Sequence, residues 1–179
     1  IPYFLVIIPD RRVVYNDSLP FKDNISVSRH YQIVDFLKKN SSLEIIDVTD
    51  ALIKAKDKYP LFFKTDSHWT NYGAFIAYSE IMKHLKKYQQ VQPLEEESFD
   101  ISLEKYEIWI GDFGLNYPGN PGNPEVGVEF TIKDKSFKNN KLNSIIVYGD
   151  SFLNFSRTVC MQCMLDEFPE LKPIIPLLF

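Results

Sequence analysis

Two short blocks of this chain carry residue types suited to acyl transfer. YGDSF, Tyr148 to Phe152, sets Ser151 directly after the apolar run SIIVY. A serine at that point can lift its hydroxyl off a sheet edge. If a helix begins at or just after it, free backbone N–H groups face a developing oxyanion. Gly149 permits close backbone approach there. TDSHWTNYGA, Thr65 to Ala74, sets Asp66 and His68 two residues apart. In an extended segment such residues share one face. A neutral imidazole takes a serine proton on one nitrogen, while a carboxylate on the other fixes the tautomer and stabilises the imidazolium. Trp69 would wall such a site and lower its dielectric. Each block also has a plain structural reading: Asp150 or Ser151 as a helix cap, and Asp66 as a backbone-bonding loop residue beside a surface His68. Taken together, the blocks supply nucleophile, base and orienter. The 83 residues between them (151 − 68) are immaterial, because such triads are defined by geometry and not by chain order.

The elements that must bring these blocks together are legible as alternating strands and helices. FLVIIP, Phe4 to Pro9, is an apolar run closed by proline and reads as a buried parallel strand. His30 to Lys39 reads as a helix with Ile33, Val34, Phe36 and Leu37 on its apolar face, stopped by Asn40-Ser41-Ser42. LEIIDV, Leu43 to Val48, reads as a second buried strand, after which Thr49 or Asp50 caps a short helix through Lys56. Leu61 to Lys64 reads as a brief extended segment. Thr70 or Asn71 caps a helix to about Tyr88, with the stripe Ala74, Tyr78, Ile81 and Leu85. Phe99 to Ile110 fits neither period cleanly. Asn116 to Pro124 is a Pro/Gly/Asn loop, Val126 to Ile132 alternates as a strand, and Ser144 to Tyr148 reads as a third buried strand. The pattern indicates an α/β fold with a mostly parallel sheet, whose ligands sit outside the carboxyl ends of the strands. Both blocks fall where that rule puts a site.

Composition narrows the function class. A length of 179 residues, 45% of them hydrophobic, fits one domain with a real core. Both ends are apolar and read as cuts through a longer chain. A net charge of −4 with no basic block gives nucleic-acid binding no electrostatic support. No run approaches the length of a membrane span, and no signal peptide is visible. Cys160 and Cys163 lie in a C-x-x-C spacing with no second pair nearby, so a zinc site is not indicated. His30 and His84 sit in helical stretches without ligand spacing, and no metal or cofactor is called for. The 14 Phe and 10 Tyr fit core packing and a carbohydrate surface equally.

D-x-H-W-T-x-x-G-A followed downstream by G-D-S-F resembles the AlgJ/AlgX type of SGNH-hydrolase-like alginate O-acetyltransferases, the DHHW group. PDRRVVY, Pro9 to Tyr15, is similar to that family's P-x-K-x-x-x-Y segment, with Arg11 in place of its lysine. GDFGL, Gly111 to Leu115, is similar to its G-D-[LM] element. The likeness runs from about Phe4 to Ser156. It implies a flavodoxin-like, three-layer SGNH core, circularly permuted so that the Asp-His block precedes the Ser block. It implies Ser151 as nucleophile, His68 as general base and Asp66 as its orienter. It further implies a periplasmic or otherwise extracytoplasmic setting, a polysaccharide acceptor, and an acyl donor presented by a membrane-bound O-acyltransferase. Trp69, Arg11 and Arg157 are the candidates for touching substrate, Arg157 by holding an anionic sugar. Two other activities fit the same residues: an esterase in which water replaces the sugar hydroxyl, and a non-catalytic assembly subunit with a degenerate site.

Overall fold

The computed structural model of the chain describes residues 3–21, 27–88, 93–115, 119 and 122–133. Ser151, Arg157, the cysteine pair and the SIIVY strand lie outside the described residues, as does most of the Asn116 to Pro124 loop.

β1 (Phe4–Ile7) and β2 (Glu44–Asp47) pair in parallel, with Phe4 opposite Glu44 and Ile7 opposite Asp47. The crossover between them contains α1 (Arg11–Val14) and α2 (Arg29–Asn40). Ser28 caps α2 by accepting from the Tyr31 N–H. The expected apolar face is rotated: α2 buries His30 and Val34, while Ile33 and Phe36 are exposed. The i, i+4, i+7 stripe from position 30 takes in 34 and 37 and leaves 33 and 36 on its flank.

α3 (Thr49–Ala55) follows β2 immediately. Its cap is neither Thr49 nor Asp50. The Asp47 carboxylate, two residues earlier, accepts from the Thr49 N–H at 3.0 Å and from the Thr49 hydroxyl at 2.5 Å. It also bonds the buried His30 ring at 3.1 Å, tying α2 to the start of α3. α4 (Asn71–Leu85) is capped by Thr70, whose Oγ1 accepts from the Gly73 N–H. Its buried face is wider than the expected stripe and adds Tyr72, Phe75, Ala77 and Met82 to Ala74, Tyr78 and Leu85. Such breadth marks a helix covered on more than one side.

The ambiguous stretch is β3 (Phe99–Trp109), paired antiparallel with β4 (Asn123–Ile132). Its phase slips. Phe99 and Ile101 point inward and Leu103 points out, after which Glu104 and Tyr106 take the less exposed positions. The register then shifts between Tyr106 and Trp109. A strand that changes its buried face has no single alternation to read. Phe75 of α4 packs on Phe99 and Phe130 with ring centroids 5.7 and 5.3 Å apart, which joins the hairpin to the helix. The described residues therefore hold a parallel pair and an antiparallel hairpin around one core.

Candidate active site

The segment that carries Asp66 and His68 is a narrow loop closed on itself. Phe62 bridges Trp69, the Thr70 N–H donates to the Leu61 carbonyl at 2.9 Å, and the Phe63 N–H donates to the His68 carbonyl at 3.3 Å. Residues 64–67 form the bend between these arms. Gly73 lets α4 approach: a Cβ there would stand 2.3 Å from the Leu61 carbonyl oxygen, inside van der Waals contact with backbone.

Asp66 and His68 meet through this bend and not across the face of an extended strand. Asp66 Oδ1 accepts from the His68 backbone N–H at 3.0 Å and from ring Nδ1 at 2.5 Å. An ionised carboxylate can only accept, so Nδ1 carries the proton and Nε2 presents a lone pair. Asp66 is 1% exposed, whereas the His68 side chain is 25% exposed. The carboxylate is thus buried behind a ring that still reaches solvent. Burial works to raise the Asp66 pKa, but hydrogen bonds from the His68 backbone and ring, with the Asp112 backbone N–H, outweigh it and hold it below its ordinary value. Asp66 stays ionised at neutral pH, as an orienting group must.

Three distant segments hold the loop in place. From the first, Tyr15 accepts the Leu61 N–H on its hydroxyl at 3.0 Å, and burial raises the Tyr15 pKa. Arg11 Nη1 donates to the Phe63 carbonyl at 3.0 Å and the Lys64 carbonyl at 2.7 Å. Its guanidinium also lies 4.8 Å from the Phe113 ring centre. From β4, the buried Glu125 accepts the Lys64 N–H at 2.8 Å and the Thr65 N–H at 3.1 Å on one oxygen. From the end of β3, Gly111 lies flat against the loop, where a Cβ would come within 2.1 Å of the Thr65 carbonyl oxygen. Asp112, opening α5 (Asp112–Leu115), accepts the Ser67 N–H at 2.7 Å on Oδ1 and the Ser67 hydroxyl on Oδ2.

The structure thus brings Asp66 and His68 together and sets Arg11 on the loop's carbonyls. Trp69 is 6% exposed and packs in the core beneath the loop, so its ring supports the backbone from below. Glu125 and Asp112 are the functional neighbours that residue-by-residue reading did not single out. Asp112 had a signal, the GDFGL element; Glu125, on an alternating strand, had none. Asp66, His68 and Asp112 each offer an atom within 4.8 Å of the others, the spacing of a cation site. In this geometry Nδ1 is bonded to Asp66 and both Asp112 oxygens accept from Ser67, so the atoms form a hydrogen-bonded dyad with a supporting carboxylate.

Residues 1–155 match the family described as SGNH hydrolase-like domain, acetyltransferase AlgX, and the chain belongs to that family. No curated protein matches it. Among solved structures, the chain is similar to the O-acetyltransferase domain of Pseudomonas putida AlgJ, with 16% identity and a TM-score of 0.66, over 97% of this chain and 62% of that one. A DHHW family protein from Eubacterium siraeum shares 18% identity with a TM-score of 0.57, over 89% of this chain and 55% of that one. Bacillus cereus PatB1, in a structure with a sulfonyl adduct, shares 19% identity with a TM-score of 0.52, over 74% of this chain and 44% of that one. The chain therefore spans less than two thirds of each of these structures. These likenesses show the SGNH-hydrolase-like fold.

Proposed function

We propose that this chain is the catalytic domain of an O-acetyltransferase that moves acetyl groups onto hydroxyls of an exported polysaccharide. The observation that carries the reading is the Asp66–His68 pair, with Nδ1 held at 2.5 Å by a carboxylate that is 1% exposed, on a ring that is itself 25% exposed. Membership in the AlgX family and the fold shared with the AlgJ O-acetyltransferase domain support acetyl transfer as the chemistry. Ser151 is the nucleophile in this reading. His68 Nε2 removes the Ser151 hydroxyl proton as its oxygen attacks the acetyl carbonyl. The tetrahedral adduct collapses by breaking the bond to the donor oxygen, which leaves with the proton from His68. A sugar hydroxyl then gives its proton to Nε2 and attacks the acetyl-serine. Ser151 is expelled and recovers that proton. Asp66 keeps Nδ1 protonated throughout and stabilises the imidazolium.

The same reading takes residues 1–179 as one SGNH domain, circularly permuted, with SIIVY adding a parallel strand to β1 and β2 in a three-layer core. It places the domain outside the cytoplasm, with a membrane-bound O-acyltransferase as donor. No helix among the described residues is long and apolar enough to cross a membrane. Arg157 is the residue proposed to face an anionic sugar, with Arg11 and Trp69 acting through the loop they support.

An acetyl-ester donor offered with oligosaccharide acceptors tests the proposal. Acetylated oligosaccharide is the expected product. Free acetate alone would assign the chain to the esterases. Ser151→Ala and His68→Ala should each abolish turnover of the ester while the domain stays folded, and Asp66→Asn should reduce it about 10⁴-fold through the wrong tautomer. Turnover persisting in either alanine variant would refute the triad.

A further inference from the structure

We propose that Asp112 is a positioning residue for the Asp66–His68 pair, acting through Ser67. The inference rests on the triad reading for its functional meaning and on the geometry of the loop for its structural one. Ser67 is the single residue between the two members of the pair, so a rotation of its backbone would swing carboxylate and imidazole apart. Asp112 grips Ser67 at two points: Oδ1 takes the backbone N–H at 2.7 Å and Oδ2 takes the hydroxyl. Two acceptors on one planar carboxylate fix both the position and the twist of Ser67, which a single bond would not.

The grip is itself anchored. Gly111 is pressed onto Thr65 and Asp66 so closely that a Cβ would stand 2.1 Å from one and 2.9 Å from the other. The Phe113 N–H donates to the Thr65 carbonyl at 3.3 Å. Residues 111–113 thus form a clamp along residues 65–67, and Asp112 is its side-chain contact. Asp112 Oδ2 also lies 3.9 Å from His68 Nδ1, on the same side of the ring as Asp66. When His68 accepts a proton, the imidazolium forms beside two carboxylates. The two contributions separate by substitution: Asp112→Asn keeps an acceptor for the Ser67 N–H and loses the charge, whereas Asp112→Ala loses both.

The test uses the full chain and two readouts. The first is the downfield proton resonance of the His68 Nδ1–H bonded to Asp66, read by NMR without any substrate. The second is steady-state turnover of a model acetyl ester. Asp112→Ala is expected to move the resonance upfield and broaden it by exchange. It should also lower kcat about a hundredfold, the scale of an ångström-level misplacement, with KM nearly unchanged. Asp112→Asn should retain the resonance and lower kcat about tenfold, less than Asp112→Ala, and Ser67→Ala should behave like it. A wild-type resonance and kcat in Asp112→Ala would overturn the proposal. So would Asp112→Asn as damaged as Asp112→Ala, because charge and not position would then be the cause. Should the alanine variant fail to fold, the asparagine and Ser67→Ala variants decide: a loss of about tenfold in both supports the clamp, and unchanged values in both overturn it. If His68→Ala keeps its turnover, the triad reading fails while the resonance result for Asp112 stands on its own.

Discussion

Replacing Glu125 should loosen the active loop from a position outside the proposed triad. Its Oε2 accepts the Lys64 N–H at 2.8 Å, the Thr65 N–H at 3.1 Å and the Thr65 hydroxyl at 3.3 Å, and its Oε1 accepts the Val126 N–H at 3.0 Å. Glu125→Ala strands these donors. Hydrogen bonds to a charged acceptor contribute about 1.5–3 kcal/mol each. The loop amides are half-buried and belong at the low end, and the threonine hydroxyl can turn to water. Two loop amides at about 1.5 kcal/mol each and the Val126 N–H at about 1 kcal/mol give a loss of about 4 kcal/mol. Glu125→Gln can keep its carbonyl oxygen toward the loop, but must then set an amide N–H₂ against the Val126 N–H. It should lose about 1 kcal/mol, one ordinary hydrogen bond. Denaturant unfolding at neutral pH measures both losses, with an unchanged slope showing that the native and unfolded states are otherwise comparable. Ester turnover, measured where both variants are fully folded, should fall further in alanine than in glutamine, because residues 64–65 lead directly into Asp66. An alanine variant within about 0.5 kcal/mol of wild type, or a glutamine variant as weak as alanine, would show that these bonds do not hold the loop.

Gly111→Ala is expected to displace the loop, since the new methyl would meet Thr65 backbone at 2.1 Å and not a movable side chain. A loss of turnover larger than that of any other described glycine-to-alanine variant, seen with a modest drop in thermal midpoint, is the pattern to look for. Asp47 gives the acid limb of stability. Burial opposes its ionisation, yet hydrogen bonds from His30 and Thr49 bring its pKa from 3.8 down to about 2. A depressed carboxylate stabilises the fold above its unfolded value and loses that contribution as pH falls through the folded one. Asp47→Asn should therefore cost on the order of 2 kcal/mol above pH ~4, with the gap to wild type closing by pH ~2 in unfolding curves. A gap independent of pH would mean that the His30–Asp47–Thr49 cluster is held by shape alone.

Local pattern was enough to locate the helix cap at Thr70, the strands flanking α2, and the D-x-H-W block, because each depends on neighbours a few residues away. The adjacency of Asp66 and His68 was legible for the same reason, although the chain achieves it with a bend and not with an extended face. The rotated face of α2, the phase slip of β3 and the capping of α3 by Asp47 were not legible. Each is set by what packs against the element and not by its own period. The same holds for the support of the site. Arg11, Tyr15, Asp112 and Glu125 are tens of residues from the loop they hold, and nothing in their own neighbourhoods names Leu61 to Ser67 as the partner. Spacing along the chain specified which groups could exchange a proton. Folding alone decided what keeps them aligned, because buried backbone amides must find acceptors, and the acceptors that reach this loop come from β4, from the start of α5 and from the segment after β1.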